Sequence, residues 1–414
     1  MKISQFADKY NISTDTVRYY MDLNLITPEK IGGHYHFDQK CEEQITKILN
    51  LKEMKFSLQE IKNIFNYHRM GKLTNYQQNN YYQDIYREKI EEIEAEISEL
   101  EIAEDKLKEK VEELRLKSSD SRVELGLPIS FLNNLSCPAC SSSLILNADR
   151  VADNEIFEGT LECDCGNSIS IKEGILNLNN VERKAETEEY IMTENNHINS
   201  YLQATAADFI DKSYQSLEWM EKHFVKLNKK SKVILEPGSG YGYFLRQVYL
   251  ELPDNCYYIC ADRNLELNKF LKKTLELTGV KKNIIFINTD LPELPLTDNS
   301  VDILIDFTGA SSYSFENRNF LLQNLERFYK DDMLILASFI IYKIFGSKNI
   351  VQSEYRANFK EKVIKEKISE MGFSINNEFK SDVEKVKESQ GKYESFAQKG
   401  DKIYSYQISA ERWS

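Results

Sequence analysis

The 414-residue sequence lacks any long hydrophobic run. Its longest run, residues 333–342, has about ten residues, which is half of what a bilayer-spanning helix requires. The first ten residues, MKISQFADKY, include Asp8 and lack the apolar stretch that a secretory signal needs. We therefore expect a protein that makes no membrane contact and stays in the cytoplasm.

The sequence also lacks a positive charge balance. It has 53 Lys and Arg against 66 Asp and Glu, a net charge of −13, which excludes non-specific coating of nucleic acid by the whole surface but leaves room for one basic domain. A hydrophobic fraction of 41% supplies enough core to exclude wholesale disorder. The length is more than twice the roughly 150 residues typical of one domain, so we expect two or three packed units.

Cysteine is scarce, and most of it is clustered. Four of the seven cysteines form two close pairs, Cys137 with Cys140 and Cys163 with Cys165. Four thiolates on two turns are what a closed tetrahedral zinc site requires, and a closed site leaves no position for water, so the metal is predicted to be structural. Free or redox-active thiols are the alternative. The residues that follow, SISIKEGILNL, resemble the zinc-ribbon segment that precedes some bacterial methyltransferase domains, including large-subunit rRNA guanine methyltransferases.

The N-terminal residues predict two short helices joined by a tight turn. In ISQFADKYNISTDTVRYYMDLNLI the turn falls at residues 11–12, and Ser13 is the expected N-cap of the second helix. Thr14, Thr16 and Arg18 then lie on the exposed start of that helix, where hydroxyl and guanidinium groups suit phosphates and base edges. The pattern alone predicts a helix-turn-helix or an ordinary helical hairpin.

The continuation of this segment resembles the mercury-resistance regulator (MerR) family. The matching elements are TVRYY, the L-x-x-P of residues 25–28, a wing with Gly33, and FSLQEI, and the resemblance covers residues 1 to about 115. It implies a winged DNA-binding domain, with Arg18 and Tyr19 on the DNA backbone. The family's wing has Gly-Tyr-Arg where this chain has Gly33-His34-Tyr35. The missing arginine predicts a shallower salt dependence, with Lys30, His34 or His36 compensating. Lys30 and Tyr35 complete the predicted DNA contacts.

Residues 76–117 predict one long acidic helix with a coiled-coil seam. Apolar residues recur at alternating three- and four-residue spacing, with Glu104 at the one vacancy: Ile90, Ile93, Ile97, Leu100, Leu107, Val111 and Leu114. A solitary helix would leave this seam in water. We therefore expect a homodimer through the same helix of a second chain, and packing against this chain's own later domains is the alternative.

The C-terminal part alternates short apolar runs with helical segments. The runs VILEP, YYICAD, IIFINTD, VDILID and MLILASF predict a parallel, doubly wound α/β sheet. Residues 383–389 and 402–413 predict an antiparallel hairpin that closes the sheet at one edge.

A glycine-rich loop follows the first of these strands. The pattern Glu236-x-Gly238-x-Gly240-x-Gly242 resembles motif I of class I S-adenosylmethionine (SAM) methyltransferases, and lacks the G-x-x-G step of a dinucleotide site. The resemblance covers residues 190–414 and implies SAM as cofactor, with acids at the next two strand ends. Asp262 is expected to accept hydrogen bonds from the ribose hydroxyls, and Asp290 with Leu291 to recognise the adenine.

The methyl acceptor is poorly specified by the sequence. After the fourth strand, Asp306-Phe307-Thr308-Gly309 stands where amino-methylating nucleic-acid enzymes carry Asp/Asn-Pro-Pro-aromatic, and the missing prolines weaken a prediction of base methylation. Asp306 is the best general-base candidate, and His197 is a second.

The predicted organisation is a multidomain α and α/β protein in four segments. They are a winged helix-turn-helix (1–75), a dimerising coiled-coil helix (76–118), a zinc ribbon (135–180) and a Rossmann-like class I methyltransferase domain (190–414). The leading hypothesis is a regulator that binds a promoter pseudo-palindrome in double-stranded DNA and carries a SAM-dependent methyltransferase as effector domain. The alternatives are a methyltransferase of a small molecule or RNA that only regulates its own expression, and a non-catalytic sensor of SAM or another ligand.

Overall fold

The computed structural model describes residues 1–70, 74–117, 122–178, 207–230, 232–386 and 396–412. The chain divides into two compact units, residues 1–118 and residues 119–414. Within the described ranges, no helix is both long enough and apolar enough to cross a membrane. The candidate base His197 lies outside the described residues.

The N-terminal unit is helical apart from one small hairpin. Its elements in chain order are α1 (Ile3–Lys9), α2 (Thr14–Asp22), β1 (Glu29–Ile31), β2 (His34–His36), α3 (Gln39–Glu53), α4 (Leu58–Met70) and α5 (Asn75–Lys117). Ser13 Oγ accepts a hydrogen bond from the Thr16 N–H at 3.0 Å, so the predicted N-cap of α2 is confirmed. Phe6, Val17 and Ile45 are fully buried in the core that these helices enclose.

The predicted wing is an antiparallel hairpin. β1 and β2 pair with Lys30 opposite Tyr35. Gly32 and Gly33 make the turn with φ values of +56° and +86°, which side-chain-bearing residues rarely adopt. The turn places the Lys30 ammonium 5.6 Å from the centre of the Tyr35 ring.

Helix α5 runs over 43 residues without a break. At its base, Tyr82 and Ile85 pack against the core of the N-terminal unit. Further along, the predicted seam is exposed in the single chain, from 50% at Ile97 to 68% at Leu107. We call its six exposed members the apolar stripe: Ile90, Ile97, Leu100, Leu107, Val111 and Leu114.

The C-terminal unit is built on one sheet of thirteen strands. Its strands are β3 (Leu127–Pro128), β4 (Ile145–Ala152), β5 (Glu155–Glu162), β6 (Ser168–Lys172), β7 (Ile175–Asn177), β8 (Val233–Pro237), β9 (Tyr257–Asp262), β10 (Asn283–Asn288), β11 (Val301–Phe307), β12 (Tyr329–Ile344), β13 (Phe373–Lys380), β14 (Glu384–Lys385) and β15 (Lys402–Arg412). Its α-helices are α6 (Ala207–Lys226), α7 (Tyr243–Val248), α8 (Leu265–Glu276), α9 (Gly309–Ser314), α10 (Leu321–Asn324) and α11 (Glu361–Glu370).

The centre of this sheet is parallel and covered on both faces. The strand order is β13-β15-β12-β11-β8-β9-β10-β7-β6-β5-β3, with β14 beside β15 and β4 beside β5. Leu235 and Ile259 pack into the core on one face, and their neighbours Ile234 and Tyr258 into the core on the other. Helices α6, α7 and α8 contribute to the second core, and α10 and α11 to the first. The predicted doubly wound α/β sheet is confirmed.

The cysteine-bearing segment differs from the small separate unit that we expected. Strand β7 pairs in parallel with β10, with Ile175 opposite Phe286, and β6, β5 and β3 follow in antiparallel order. Without β7, the edge of β10 would present unpaired backbone groups. The segment therefore extends the parallel α/β sheet.

The antiparallel edge also differs from the predicted hairpin. Strand β15 lies between β12 and β13, so its hairpin partner is Phe373–Lys380 rather than residues 383–389. Within the predicted partner, residues 384–385 form the two-residue strand β14 beside β15, and residues 387–389 lie outside the described residues. The physical reason is burial in the sheet: Phe373 is buried in the main core of the sheet, whereas the buried residue of the predicted partner, Val386, packs into a smaller separate cluster.

Candidate functional site

The glycine-rich loop joins β8 to α7 at the carboxyl edge of the sheet. Gly238 and Gly242 are required by packing, because a Cβ on Gly238 would lie 3.0 Å from the Gly309 Cα and one on Gly242 would lie 2.2 Å from Leu271 Cδ1. Gly240 differs, since a Cβ there would meet only the Gly238 carbonyl oxygen, at 3.9 Å. The open space at Gly240 is where a ligand can approach the backbone.

Asp262 ends β9 and fixes this loop. Its Oδ2 accepts a hydrogen bond from the Gly240 N–H at 2.9 Å, and its Oδ1 accepts one from the Asn264 N–H at 2.8 Å. The side chain is almost fully buried, and that burial raises the pKa of the Asp262 carboxyl. Each carboxylate oxygen keeps one further acceptor position, so bonds to two hydroxyls remain available beside the loop.

Two asparagines that the sequence analysis missed hold Asp262 in place. The side-chain amides of Asn268 and Asn288 both donate to the Asp262 backbone carbonyl, at 3.3 and 3.1 Å. Both are buried. Asn288 ends β10, directly after its apolar residues and two residues before Asp290. A polar residue at that place was the sequence signal that could have identified it.

Glu236 lies on β8 beneath the loop. It is buried, and one of its carboxyl oxygens accepts a hydrogen bond from the Tyr258 hydroxyl at 2.8 Å. Burial raises the pKa of Glu236 to about 8, with smaller contributions from the charges of Asp306 and Asp262. Glu236 is therefore largely protonated at neutral pH and can donate a hydrogen bond as well as accept one.

Asp290 and Leu291 follow β10, as predicted. Both are half-buried. Leu291 Cδ1 would lie 3.8 Å from a Cβ on Gly238, so Leu291 borders the glycine loop. The structure thus brings the ends of β8, β9 and β10 together at one edge of the sheet.

The structure places the predicted base, Asp306, inside the fold. Asp306 is fully buried on β11, and its Oδ1 accepts a hydrogen bond from the Ala310 N–H at 3.0 Å, where it caps α9. Its Oδ2 has no partner among the described residues, and burial raises the pKa of this carboxyl to about 7. A base must reach the proton that it removes. The residue instead holds the turn into α9, where a Cβ on Gly309 would lie 2.1 Å from the Pro237 carbonyl oxygen.

A cavity of about 440 Å³ opens beside this turn. It is lined from the glycine loop by Tyr241 and Tyr243 and from the end of β11 by Phe307 and Thr308. Thr308 has a φ of +66°, which is strained for a β-branched residue, and such strain is concentrated at functional sites. Tyr241 and Tyr243, which lie in and directly after the glycine motif, were the sequence feature that could have predicted an aromatic cavity next to the loop.

The four clustered cysteines lie on two turns at one end of β4–β6. Their sulfur atoms all lie within 4.8 Å of one another, with 3.6 Å between Cys137 and Cys165 and 3.4 Å between Cys140 and Cys163. Tetrahedral zinc with Zn–S bonds of about 2.3 Å needs sulfur atoms roughly 3.8 Å apart, so the donor set fits zinc. All seven cysteines are free of disulfides.

Hydrogen bonds lower the pKa of two of these thiols, Cys137 and Cys140, whereas the pKa of Cys163 and that of Cys165 are raised. Burial opposes ionisation of Cys137, but hydrogen bonds from the Asn167 side chain and the N–H groups of Ala139 and Cys140 outweigh it and lower the pKa of this thiol to about 6. Asn167 Nδ2 lies 3.5 Å from the Cys137 sulfur. A thiolate is the form that binds zinc.

The predicted DNA-contacting residues lie on the surface of the N-terminal unit. Arg18 and Tyr19 are exposed on α2, and Tyr35 is exposed on the wing. Arg18 Nη1 pairs with Asp15 Oδ1 at 2.8 Å, an internal ion pair that the sequence analysis did not foresee. Thr16 Oγ1 lies 2.8 Å from Ser13 Oγ, so its hydroxyl shares the N-cap. Thr14 begins the same helix, and Lys30 lies over Tyr35.

Comparisons with known proteins agree with this division of the chain. Residues 1–68 match the MerR HTH family regulatory protein model, and residues 228–401 match a methyltransferase domain model. No curated protein sequence matches the chain. The protein therefore carries a MerR-type helix-turn-helix domain fused to a methyltransferase domain.

Solved structures with a similar C-terminal unit are distant. A SAM-dependent methyltransferase from Aquifex aeolicus is 18% identical with a TM-score of 0.34, covering 52% of this chain and 93% of that one. A phosphoethanolamine N-methyltransferase from Haemonchus contortus is 13% identical with a TM-score of 0.36, covering 49% of this chain and 53% of that one. Similarities this low assign neither a cofactor nor a substrate to this chain.

Proposed function

We propose that this protein is a dimeric, cytoplasmic DNA-binding regulator whose C-terminal unit binds SAM and transfers its methyl group to an acceptor. The observation that carries the proposal is the open space at Gly240, beside an acid that holds the loop and keeps two acceptor positions. This site lies at the ends of the neighbouring strands β8 and β11. From β8 the chain leads to β9 on one side, and from β11 to β12 on the other. Open α/β sheets bind ligands at such topological switch points.

The residues at this edge of the sheet would bind different parts of the cofactor. The backbone of the loop at Gly238, Gly240 and Gly242 would approach the cofactor, with Glu236 supporting it from below. Asp262 would accept from the ribose hydroxyls, and Asp290 with Leu291 would border the adenine. Bound there, SAM would supply an electrophilic methyl group: the acceptor's lone pair would form the new bond to carbon, the electrons of the S–CH3 bond would stay on sulfur, and the acceptor's proton would pass to water. The protein's main contribution is to orient the acceptor in line.

Zinc would be held by the four cysteine thiolates and would have a structural role. Four protein ligands close a tetrahedral site, so no position is left for a substrate. The two cysteine turns flank the strands that extend the sheet beyond β10. Zinc would thereby fix the end of the same sheet that carries the cofactor site.

The N-terminal unit would read a promoter pseudo-palindrome as a dimer. Thr14, Thr16, Arg18 and Tyr19 would contact DNA from α2, and Lys30 and Tyr35 from the wing. The apolar stripe of α5 supports dimerisation, because it covers several turns of a helix and is exposed in the single chain. Two-fold pairing of recognition helices matches a pseudo-palindromic site.

Calorimetry with S-adenosylhomocysteine tests the cofactor site. Wild-type protein loaded with zinc should bind it, and Asp262→Ala should weaken binding by about 1.5 to 3 kcal/mol, or roughly ten- to a hundredfold, because a charged acceptor is lost. Asp254→Ala is the control, since Asp254 is exposed and pairs with Lys282 away from the loop. Absence of binding to wild type at millimolar concentration refutes the assignment.

A footprint on the upstream DNA tests the regulator. Wild-type protein should protect a pseudo-palindrome, and the experiment is repeated with and without SAM to show whether the cofactor changes protection. Failure to protect any DNA, there or in a genomic selection, would contradict the regulatory half of the proposal.

A further inference from the structure

The cavity of about 440 Å³ lies on the side of the switch point away from the predicted nucleoside residues. Glu236, Asp262 and Asp290 belong to β8, β9 and the end of β10. The cavity is bordered by the end of β11, by Ser338 and Ile340 of β12, by residues 403–405 of β15 and by α6, and it meets the glycine loop at Tyr241 and Tyr243. A cofactor at the glycine loop and a second molecule in this cavity would therefore sit on opposite sides of one crevice.

The lining of the cavity is apolar and nearly uncharged. Eight of its lining residues are aromatic, among them Phe209, Phe315, Phe396 and Tyr404, and Lys212 is the only charged residue among the described residues that line it. A single lysine is a poor match for the phosphate chain of RNA, which requires several cations. The volume is that of a small-molecule pocket.

One wall carries a hydrogen-bonding cluster. Gln407 is fully buried on β15, and its Nε2 donates to Ser216 Oγ at 2.8 Å and to Ser338 Oγ at 3.0 Å. Ser216 Oγ also lies 3.0 Å from Ser405 Oγ. All three serines line the cavity, so Gln407 stands immediately behind its wall.

This cluster is incomplete. Gln407 Oε1 is buried with no hydrogen-bond partner in the described structure. Exchanging the two amide atoms by a flip would leave the amide nitrogen without a partner instead, so the deficit does not depend on the assigned orientation. Buried polar atoms are nearly always satisfied, and each exception calls for a missing partner.

We infer that the cavity binds the methyl acceptor, and that the acceptor is an uncharged, largely apolar small molecule with a hydroxyl group that hydrogen-bonds to the Ser338 and Ser216 hydroxyls, which Gln407 positions from behind the wall. A hydroxyl both donates and accepts, so it can pair with two of the serine hydroxyls that line the cavity. The aromatic lining would hold the rest of the molecule. The identification of this molecule as the acceptor rests on the proposed methyltransferase function.

Matched probes test the inference on the full-length, zinc-loaded protein. Naphthalene and 2-naphthol share a shape and differ by one hydroxyl. Wild type should bind 2-naphthol at least about tenfold more tightly than naphthalene, as expected for one added hydrogen bond. Ser338→Ala and Gln407→Met should reduce this ratio to about one to threefold while leaving naphthalene binding in place.

Ser314→Ala is the matched control, because Ser314 is also buried but bonds to the Ala310 carbonyl and does not line the cavity. Its ratio should equal that of wild type. Thermal melting shows which variants are folded, and the wild-type ratio decides the question if Gln407→Met does not fold. Equal binding of the two probes to wild type, or tighter binding of anionic 2-naphthoate, would overturn the inference.

Titration with S-adenosylhomocysteine separates this inference from the proposed function. If the nucleoside binds and neither neutral probe does, the acceptor inference fails and the methyltransferase proposal stands. If 2-naphthol binds selectively and the nucleoside does not, the cavity is a ligand site, but the acceptor role and the methyltransferase proposal both fail.

Discussion

The two units of this chain place their functional groups in opposite ways. In the N-terminal unit, Arg18 and the apolar stripe of α5 face outward, and the arginine pairs only with the exposed Asp15. In the C-terminal unit, Glu236, Asp262 and Asp306 are buried and hydrogen-bonded to the backbone or to tyrosine. The first unit exposes its groups at the surface, and the second uses its groups to organise its own interior.

This difference predicts whether a substitution changes the stability of the fold or its association with other molecules. A buried carboxyl or a cysteine cluster is part of the folded interior, so changing it should alter the free energy of unfolding. An exposed ion pair adds little to stability, so changing it should alter association instead. Four predictions test this contrast.

The largest expected effect is loss of the metal. Purified protein should hold about one zinc per chain, and Cys137→Ser should lose it and destabilise residues 135–178, because metal binding in such sites is coupled to folding by about 10–16 kcal/mol. Metal analysis and thermal unfolding measure the two effects. Cys41→Ala, in the N-terminal unit, should keep the zinc. A wild-type protein with intact thiols and no zinc, purified under reducing conditions, would contradict the prediction.

The next effect is a dependence of stability on pH. Because the pKa of Glu236 is raised to about 8 in the folded state from an ordinary value of 4.5, its contribution is fully present below pH 4.5 and is lost as the pH rises through 8. Glu236→Gln should flatten this decline by on the order of 3–5 kcal/mol between pH 5 and 9. Urea unfolding at several pH values measures it, with the exposed Glu251→Gln as control. If the free energy of unfolding falls with pH equally in wild type and Glu236→Gln, the Glu236 carboxyl is not the cause of that fall.

A smaller effect, on association, is expected in the apolar stripe. Replacing Ile97 and Leu100 together with glutamate should weaken dimerisation at least about a hundredfold, near 2.7 kcal/mol, because two charges would enter the helix interface. Sedimentation across a concentration series measures this. Ser98→Glu, off the stripe, should remain dimeric. An unchanged mass for the double variant would place the interface elsewhere.

The smallest effect concerns Arg18. Arg18→Ala should weaken operator binding about tenfold and lower the salt slope by about one, yet change the free energy of unfolding by no more than about 0.5 kcal/mol. Asp15→Asn should act in the opposite direction on DNA binding, because it releases the arginine from its ion pair. DNA titrations at several salt concentrations decide the matter. A large stability loss in Arg18→Ala would break the contrast between the units.

Several features were predictable from the sequence because the signal was local. Ser13 precedes a helical pattern and caps it, and the Gly32–Gly33 pair makes the wing turn. The five apolar runs of the C-terminal part became the central strands, since buried parallel strands are continuously apolar. The cysteine spacing likewise predicted four clustered sulfur atoms, because each pair of cysteines lies within one short turn.

Other features were not predictable because they depend on pairing between distant segments. Strand β7 joins β10 across more than one hundred residues of sequence, and β15 chooses Phe373–Lys380 as its hairpin partner. The burial of Asp306 has no sequence signature, since a strand-end acid is as often exposed. Its predicted role as a base stays a prediction, and the burial was not foreseen.

The sequence by itself determined the order of the parts: a helix-turn-helix segment, a long seam-bearing helix, four clustered thiols and a glycine loop followed by spaced acids. These follow from periodicity and from short motifs whose chemistry is complete within a few residues. Only the tertiary structure decided that the cysteine strands extend the methyltransferase sheet, that Asp262 holds Gly240, and that Gln407 stands behind an aromatic cavity with one atom unpaired. The physical reason is that burial and hydrogen-bond satisfaction depend on which segments meet in the fold, and no local pattern encodes that meeting.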